Sequence, residues 1–195
     1  MTEQQWEKKL KIATAGRDAS HADAYRYPYE PTPYCVLERL SDSGYIGSAD
    51  TVMDYGCGRG RVSFFLSYRL GCRSVGVEYD TAVYAGAMEN LRTYAGAGRV
   101  EFMCARAEQF PVEHANCFYF FNPFSLEVLR SVFGRILESY YGKPRTMRFF
   151  FYYPNEEYRS WLMTRNDLRF LAELDCRDLF PGANPREQIL IFEFP

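Results

Sequence analysis

Three stretches of the chain hold residue types whose spacing could do chemistry. The first, Val52 to Arg61, reads VMDYGCGRGR: an apolar run reaching Asp54, then Gly56, Gly58 and Gly60 at every second position. Val62, Phe65, Leu66 and Leu70 follow at helical spacing, so the stretch predicts strand, glycine turn and helix. Glycine suits that turn because it accepts positive φ and lets backbone N–H groups approach a ligand with no Cβ in the way. A ligand is therefore expected across Gly56 to Gly60. The second stretch, Val75 to Asp80, reads VGVEYD, a strand ending in the acceptor-only carboxylate of Glu78. The third, FFNPF, puts Asn122 and Pro123 at the end of an aromatic run.

The elements that must position these residues alternate along the chain. Strands are predicted near 72–79, at 100–104, 117–121 and 147–153, with helices after Asp80 (Tyr84, Ala87, Met88, Leu91, Ala95 on one face), after Ser125 (Leu129, Val132, Phe133, Ile136, Tyr140) and over 155–165. Gly96 and Gly98 stop the first of these helices, and the loop 105–115 has room for a rudimentary helix only. Strands near 171–179 and at 188–194 form a hairpin-like pair. At the front, Trp6, Leu10 and Ala13 share one face of a helix within residues 1–15. A stretch with Tyr25, Tyr27, Pro28, Tyr29, Pro31, Pro33 and Tyr34 follows, and Thr32 is placed to cap a helix over 33–41 with Val36, Leu37 and Leu40 inward. That Tyr/Pro segment reads either as a lid over a ligand or as a strap over the core.

Composition limits the function classes. At 195 residues the chain suits one domain with a sizeable core, and 16 Phe and 16 Tyr supply it. The net charge is −2 and the 23 basic residues, mostly arginine, are scattered, so no strong nucleic-acid signature is present. No apolar run approaches a membrane span and the polar start is no signal peptide, so a soluble, cytoplasmic protein is expected. The six cysteines include no C-x-x-C pair and read as reduced core or turn residues. With only His21 and His114, no metal site is expected.

Asp54, Gly56, Gly58 and Gly60 resemble motif I, D-x-G-x-G-x-G, of the class I S-adenosylmethionine-dependent methyltransferases, and Glu78 stands where that family places its second acid. The likeness covers about residues 33–195, leaving 1–32 as an N-terminal extension or lid. It implies an α/β, mostly parallel seven-stranded Rossmann-like sheet with helices on both faces and an antiparallel last strand. It also implies S-adenosylmethionine as cofactor and S-adenosylhomocysteine as product. By resemblance Asp54 helps hold the methionine ammonium, with Tyr55, Gly56, Cys57, Gly58 and Gly60 around it. Glu78 takes the two vicinal ribose hydroxyls, and Tyr79 lies against the adenine. Near Arg106 and Ala107 the family often has an acid or amide for the adenine amino group. Arginine has donors only, so backbone atoms or Glu108 would have to serve. Asn122 and Pro123 resemble the N/D-P-P-F/Y motif of enzymes that methylate planar nitrogens, with Phe124 where the second proline would be. By that resemblance they position the acceptor.

The acceptor stays open between small molecule, protein and RNA, as does the oligomeric state. A non-catalytic S-adenosylmethionine-binding regulatory module is the alternative. A nicotinamide-dependent oxidoreductase is disfavoured, because the G-x-G-x-x-G fingerprint would need glycine at 61, where Arg61 stands.

Overall fold

Strand residues alternate between two hydrophobic layers, and that alternation sets the architecture. The computed structural model describes residues 1–17, 29–97, 99–112, 114–182 and 184–194. Its strands are β1 (Thr51–Tyr55), β2 (Arg73–Glu78), β3 (Val100–Cys104), β4 (Cys117–Phe120), β5 (Met147–Tyr152), β6 (Arg169–Asp175) and β7 (Gln188–Phe194). They form one sheet in the order β3-β2-β1-β4-β5-β7-β6. The pairs from β3 to β5 are parallel, whereas β7 runs antiparallel to both β5 and β6. This is the sheet that the resemblance implied.

Helices α1 (Glu3–Leu10), α2 (Tyr34–Asp42), α3 (Arg61–Leu70) and α4 (Thr81–Thr93) pack on one face, and α5 (Leu126–Gly142) and α6 (Glu156–Met163) on the other. β4 is buried on both sides: Cys117 and Tyr119 join the first core, Phe118 and Phe120 the second. The parallel register sets Tyr55 beside Phe120 and Phe120 beside Phe151, and these rings stack at 5.3 and 4.8 Å. Rings in register add stacking to the area they bury, which makes this aromatic ladder the centre of the second core.

Caps settle most helix starts. Asp80 accepts from the N–H groups of Ala82 and Val83, Ser125 from Val128, and Asn155 from Tyr158. Thr32 does not cap α2, because its hydroxyl bonds the Tyr119 hydroxyl at 2.9 Å and Pro33 stands at the cap position. The first helix ends at Leu10, with Lys11 left-handed at φ 57°, so Ala13 lies beyond it and is exposed. Likewise Ala95 lies past the end of α4, helix 155–165 narrows to α6, and strand 171–179 shifts to β6 with a 3-10 turn, Arg177–Leu179, behind it. Tyr25, Tyr27, Pro28, His21 and Gly98 lie outside the described residues. All six cysteines are free thiols, and four of them are buried.

Replacing Phe120 by Ala removes a fully buried ring from the ladder. The expected loss of stability is ~3–5 kcal/mol. Tyr141→Ala, at a side chain 73% exposed, is expected to stay within about 0.5 kcal/mol of the parent. Urea denaturation of the two variants tests the contrast.

Candidate functional site

β1 has β2 on one side and β4 on the other, and the chain moves from β1 outward to β3 before crossing back to β4. Such a reversal of strand order leaves a crevice outside the carboxyl ends of the two central strands. A pocket opens there, and its lining includes Tyr29, Thr32, Asp54, Glu78, Ala107 and Asn122.

Gly56 and Cys57, at the start of the glycine turn, line the pocket's floor, whereas Gly58 and Gly60 stand outside the lining. Gly56, Gly58 and Gly60 all have positive φ, at 69°, 58° and 89°. Their N–H groups do not point at the pocket, contrary to the sequence expectation. Those of Gly56 and Cys57 donate to the Val77 carbonyl at 2.9 and 3.2 Å, that of Gly58 to Glu78 Oε2 at 2.9 Å, and that of Gly60 to the Cys57 carbonyl at 2.8 Å. The end of β2 supplies the nearest acceptors, and a buried N–H left unpaired would be costly. A cradle for phosphate needs free N–H groups, and these four offer none.

Each glycine answers to a different neighbour. A Cβ at Gly58 would meet the Tyr29 ring at 2.1 Å, and one at Gly60 the Phe102 ring at 2.4 Å. Gly60 thus serves close packing of helix on sheet, and Tyr29 rests on the turn itself. The Cys57 side chain turns under the sheet against Gly76, so only its backbone faces the turn.

The acids Asp54 and Glu78 face the pocket. Asp54 is 2% exposed and its Oδ2 has no hydrogen-bond partner. Burial, followed by the nearby charge of Glu78, pushes its carboxyl up to about 8. Glu78 accepts from the Asp80 N–H on Oε1 and the Gly58 N–H on Oε2, both at 2.9 Å. Burial still raises its pKa above the usual carboxylate range. Two carboxylates, one with an orphaned oxygen, fit a cation that also offers hydroxyl donors.

The remaining candidate residues divide. Tyr79 stands at the rim, 47% exposed, with the Arg106 guanidinium over its ring at 5.8 Å. Arg106 Nε bonds Glu108 at 2.8 Å, and Ala105, Ala107 and Glu108 line the pocket instead of Arg106. Tyr55 borders the pocket, but its ring stacks in the second core and its hydroxyl is buried without a partner. Pro123 abuts the glycine turn: a Cβ at Gly56 would stand 2.5 Å from the Pro123 Cβ. Asn122 is left-handed at φ 41°. Its Nδ2 donates to the Tyr153 carbonyl at 2.7 Å and its Oδ1 accepts from the Asn155 N–H at 3.1 Å. The Asn122 side chain therefore ties β4 to the start of α6.

Among the lining residues that sequence reasoning missed are Tyr119, Thr32 and Arg61. Tyr119 and Thr32 meet through their hydroxyls inside the pocket wall. Arg61, 3% exposed, turns to the N-terminal extension. It donates to Thr14 Oγ1 at 2.7 Å, to the Thr32 carbonyl and Glu7 at 3.2 Å and to Glu3, with its guanidinium 4.3 Å from the Tyr34 ring centre. The one signal for it was an arginine where a glycine or apolar residue would suit the first turn of a buried helix.

Residues 52–139 match the family model described as a methyltransferase domain. No curated protein matches the chain. Among solved structures, a dimethyladenosine transferase from Plasmodium falciparum superposes with a TM-score of 0.60 at 11% identity, over 86% of this chain and 63% of that one. An RNA methyltransferase from Salinibacter ruber, in complex with S-adenosyl-L-homocysteine, gives 0.55 at 19%, over 85% and 94%. A mitomycin 7-O-methyltransferase gives 0.61 at 16%, over 82% and 53%. The chain thus spans less than two thirds of the first and third of these proteins, and at such identities the likeness is one of fold.

The raised Asp54 pKa has a consequence for stability. The folded protein holds this proton up to about pH 8, while the unfolded chain releases it near pH 4. Stability is therefore expected to fall as pH rises through that window and to level off above it. Asp54→Asn should flatten the fall. Urea denaturation of both proteins between about pH 5 and 9 measures it.

Proposed function

We propose that this chain, which carries a methyltransferase domain across residues 52–139, transfers a methyl group from S-adenosylmethionine to an acceptor held at the Asn122 rim. The observation that carries the reading is the pair of carboxylates beside a turn in which the Gly56, Cys57, Gly58 and Gly60 N–H groups are already taken. Asp54 would face the ammonium and sulfonium end of the donor, and Glu78 its two ribose hydroxyls. Tyr79 would cover the adenine, with Ala107 on its other side. A dinucleotide suits this pocket poorly, because its pyrophosphate would meet two acids, and the Gly56, Cys57, Gly58 and Gly60 N–H groups are already taken.

When bound, the donor supplies an electrophilic methyl carbon: the acceptor's lone pair forms the new bond as the carbon–sulfur bond breaks, and the pair stays on sulfur. The protein's share is placement in a dry pocket. The cavity as it stands measures about 110 Å³, below the roughly 300–1,000 Å³ of a small-molecule site. Tyr29, resting on Gly58, lines this crevice with residues 30–32, which would resettle over a bound donor as a cover. Asn122 Oδ1 keeps one lone pair beyond its bond to Asn155. That pair suits the N–H of a planar nitrogen, the acceptor type that the Asn-Pro-Phe stretch favours.

Thermal melting with S-adenosylmethionine, S-adenosylhomocysteine, NAD and NADP tests the donor. Either adenosyl compound at 100 times its dissociation constant should add ~2.7 kcal/mol of stability. Stabilisation by the dinucleotides alone would overturn the proposal. Glu78→Ala is expected to weaken donor binding by ~1–3 kcal/mol.

Asn122→Ala should act differently. It removes one of two donors from the Tyr153 carbonyl, unpairs the Asn155 N–H and puts alanine at positive φ, so melting falls by the equivalent of ~1–3 kcal/mol. Donor affinity, read by calorimetry, should hold while turnover drops. Labelled methyl groups entering none of the protein, RNA, DNA and small-molecule fractions of an extract would favour a binding module without catalysis.

A further inference from the structure

Beside Asn122, at the same carboxyl rim, lies a cationic group that the donor site does not use. β7 runs antiparallel to β5, with Tyr152 opposite Ile189, so the residues just before β7 sit next to the carboxyl end of β5. Arg186 is one of them. Its Nη2 donates to the Tyr153 carbonyl at 3.2 Å, the same oxygen that Asn122 Nδ2 holds at 2.7 Å. Its guanidinium lies 4.1 Å from the Tyr153 ring centre. Tyr153 is itself fixed in a left-handed conformation at φ 50°, and its hydroxyl accepts from Asn184 Nδ2 at 2.7 Å. The arginine is thus stacked on one side of the Tyr153 ring and hydrogen-bonded to its carbonyl.

Among the described residues it has no counter-charge within ion-pair distance. The bond to Tyr153 is the one hydrogen bond its side chain makes among the described residues, and its Nε is buried with no partner. The adjacent carboxylate, Glu187, takes the Tyr152 hydroxyl at 2.6 Å instead. A half-buried guanidinium with four unused donors is poorly compensated, and its planar fork matches a carboxylate or phosphate in two parallel hydrogen bonds. Phe121, which borders the pocket, packs on Tyr152 at 4.7 Å and on Tyr153 at 6.3 Å, giving an aromatic wall between the donor pocket and the arginine.

Resting on the methyltransferase reading, we infer that the acceptor is a small aromatic molecule bearing a carboxylate or phosphate, its anion held by Arg186 and its ring along Phe121 and Tyr153. A small molecule is favoured over RNA because Arg186 stands beside Glu187 on a chain of net charge −2 with no basic stripe.

The test is a calorimetric titration of the full chain, with and without saturating S-adenosylhomocysteine. The probes are benzoate, inorganic phosphate, the neutral isostere benzamide and a single-stranded RNA oligonucleotide. At least one of benzoate and phosphate should bind saturably and benzamide should not. Arg186→Gln should lose that binding at least tenfold, and Arg186→Lys should lose less, while both variants keep the affinity for S-adenosylhomocysteine. Which anion binds tells the two chemistries apart. Anion binding no better than benzamide, or unchanged in Arg186→Gln, overturns the inference, as does Arg186-dependent binding of RNA alone. A lower melting temperature with unaltered anion binding would make Arg186 a clamp on Tyr153 and overturn it too. Failure of S-adenosylhomocysteine to bind while the anion still binds would strike the donor reading and leave the arginine site standing.

Discussion

The bond between the glycine turn and the end of β2 governs the rest of the site. Three successive N–H groups, from Gly56, Cys57 and Gly58, fasten to the Val77 carbonyl and the Glu78 carboxylate. This fixes the turn against its neighbouring strand, and it also decides the electrical character of the pocket. A turn whose N–H groups faced outward would be an anion site. Turned inward, they leave Asp54 and Glu78 to dominate, and the pocket favours positive charge. Asp54 then sits protonated or pairs with a cation, since burying it ionised and alone is unfavourable.

A second buried charge joins the extension to this frame. Arg61 leaves the glycine turn as the first residue of α3 and gathers Glu3, Glu7, Thr14 and Thr32 around one guanidinium. Removing one partner from such a group typically costs more than the group contributes over an apolar core. Its value here lies in geometry. Thr32 and Tyr29 reach the pocket only because α1 and residues 12–14 are held beside α3, with Trp6 and Leu10 inserted in the first core. The cover and the floor of the pocket are anchored at adjacent positions of the chain.

Much of this architecture was legible in the residues. The period of the apolar positions gave every strand and helix of the sheet, because β1, β4 and β5 are buried on both faces and read as unbroken runs. Asp54 and Glu78, read from strand ends and from the motif they resemble, both line the crevice. What could not be read was direction. Nothing in G-C-G says that its N–H groups turn to β2, nothing in N-P-F says that both amide atoms of Asn122 are taken up by Tyr153 and Asn155, and Arg61 and Arg186 look like surface charges until the packing around them is known. Those are long-range pairings, which local pattern does not encode.

The placement of β7 between β5 and β6 bears on how the chain reaches this state. Among the described residues β6 has β7 as its one neighbour in the sheet, and β5 meets β7 along an edge that carries Phe149 and Phe151. Until Gln188–Phe194 has left the ribosome, β6 has nothing to pair with and that aromatic edge stays open to other chains. Assembly is thus gated by its final sheet-forming segment, and a nascent chain stalled before residue 188 would be a hazard for aggregation.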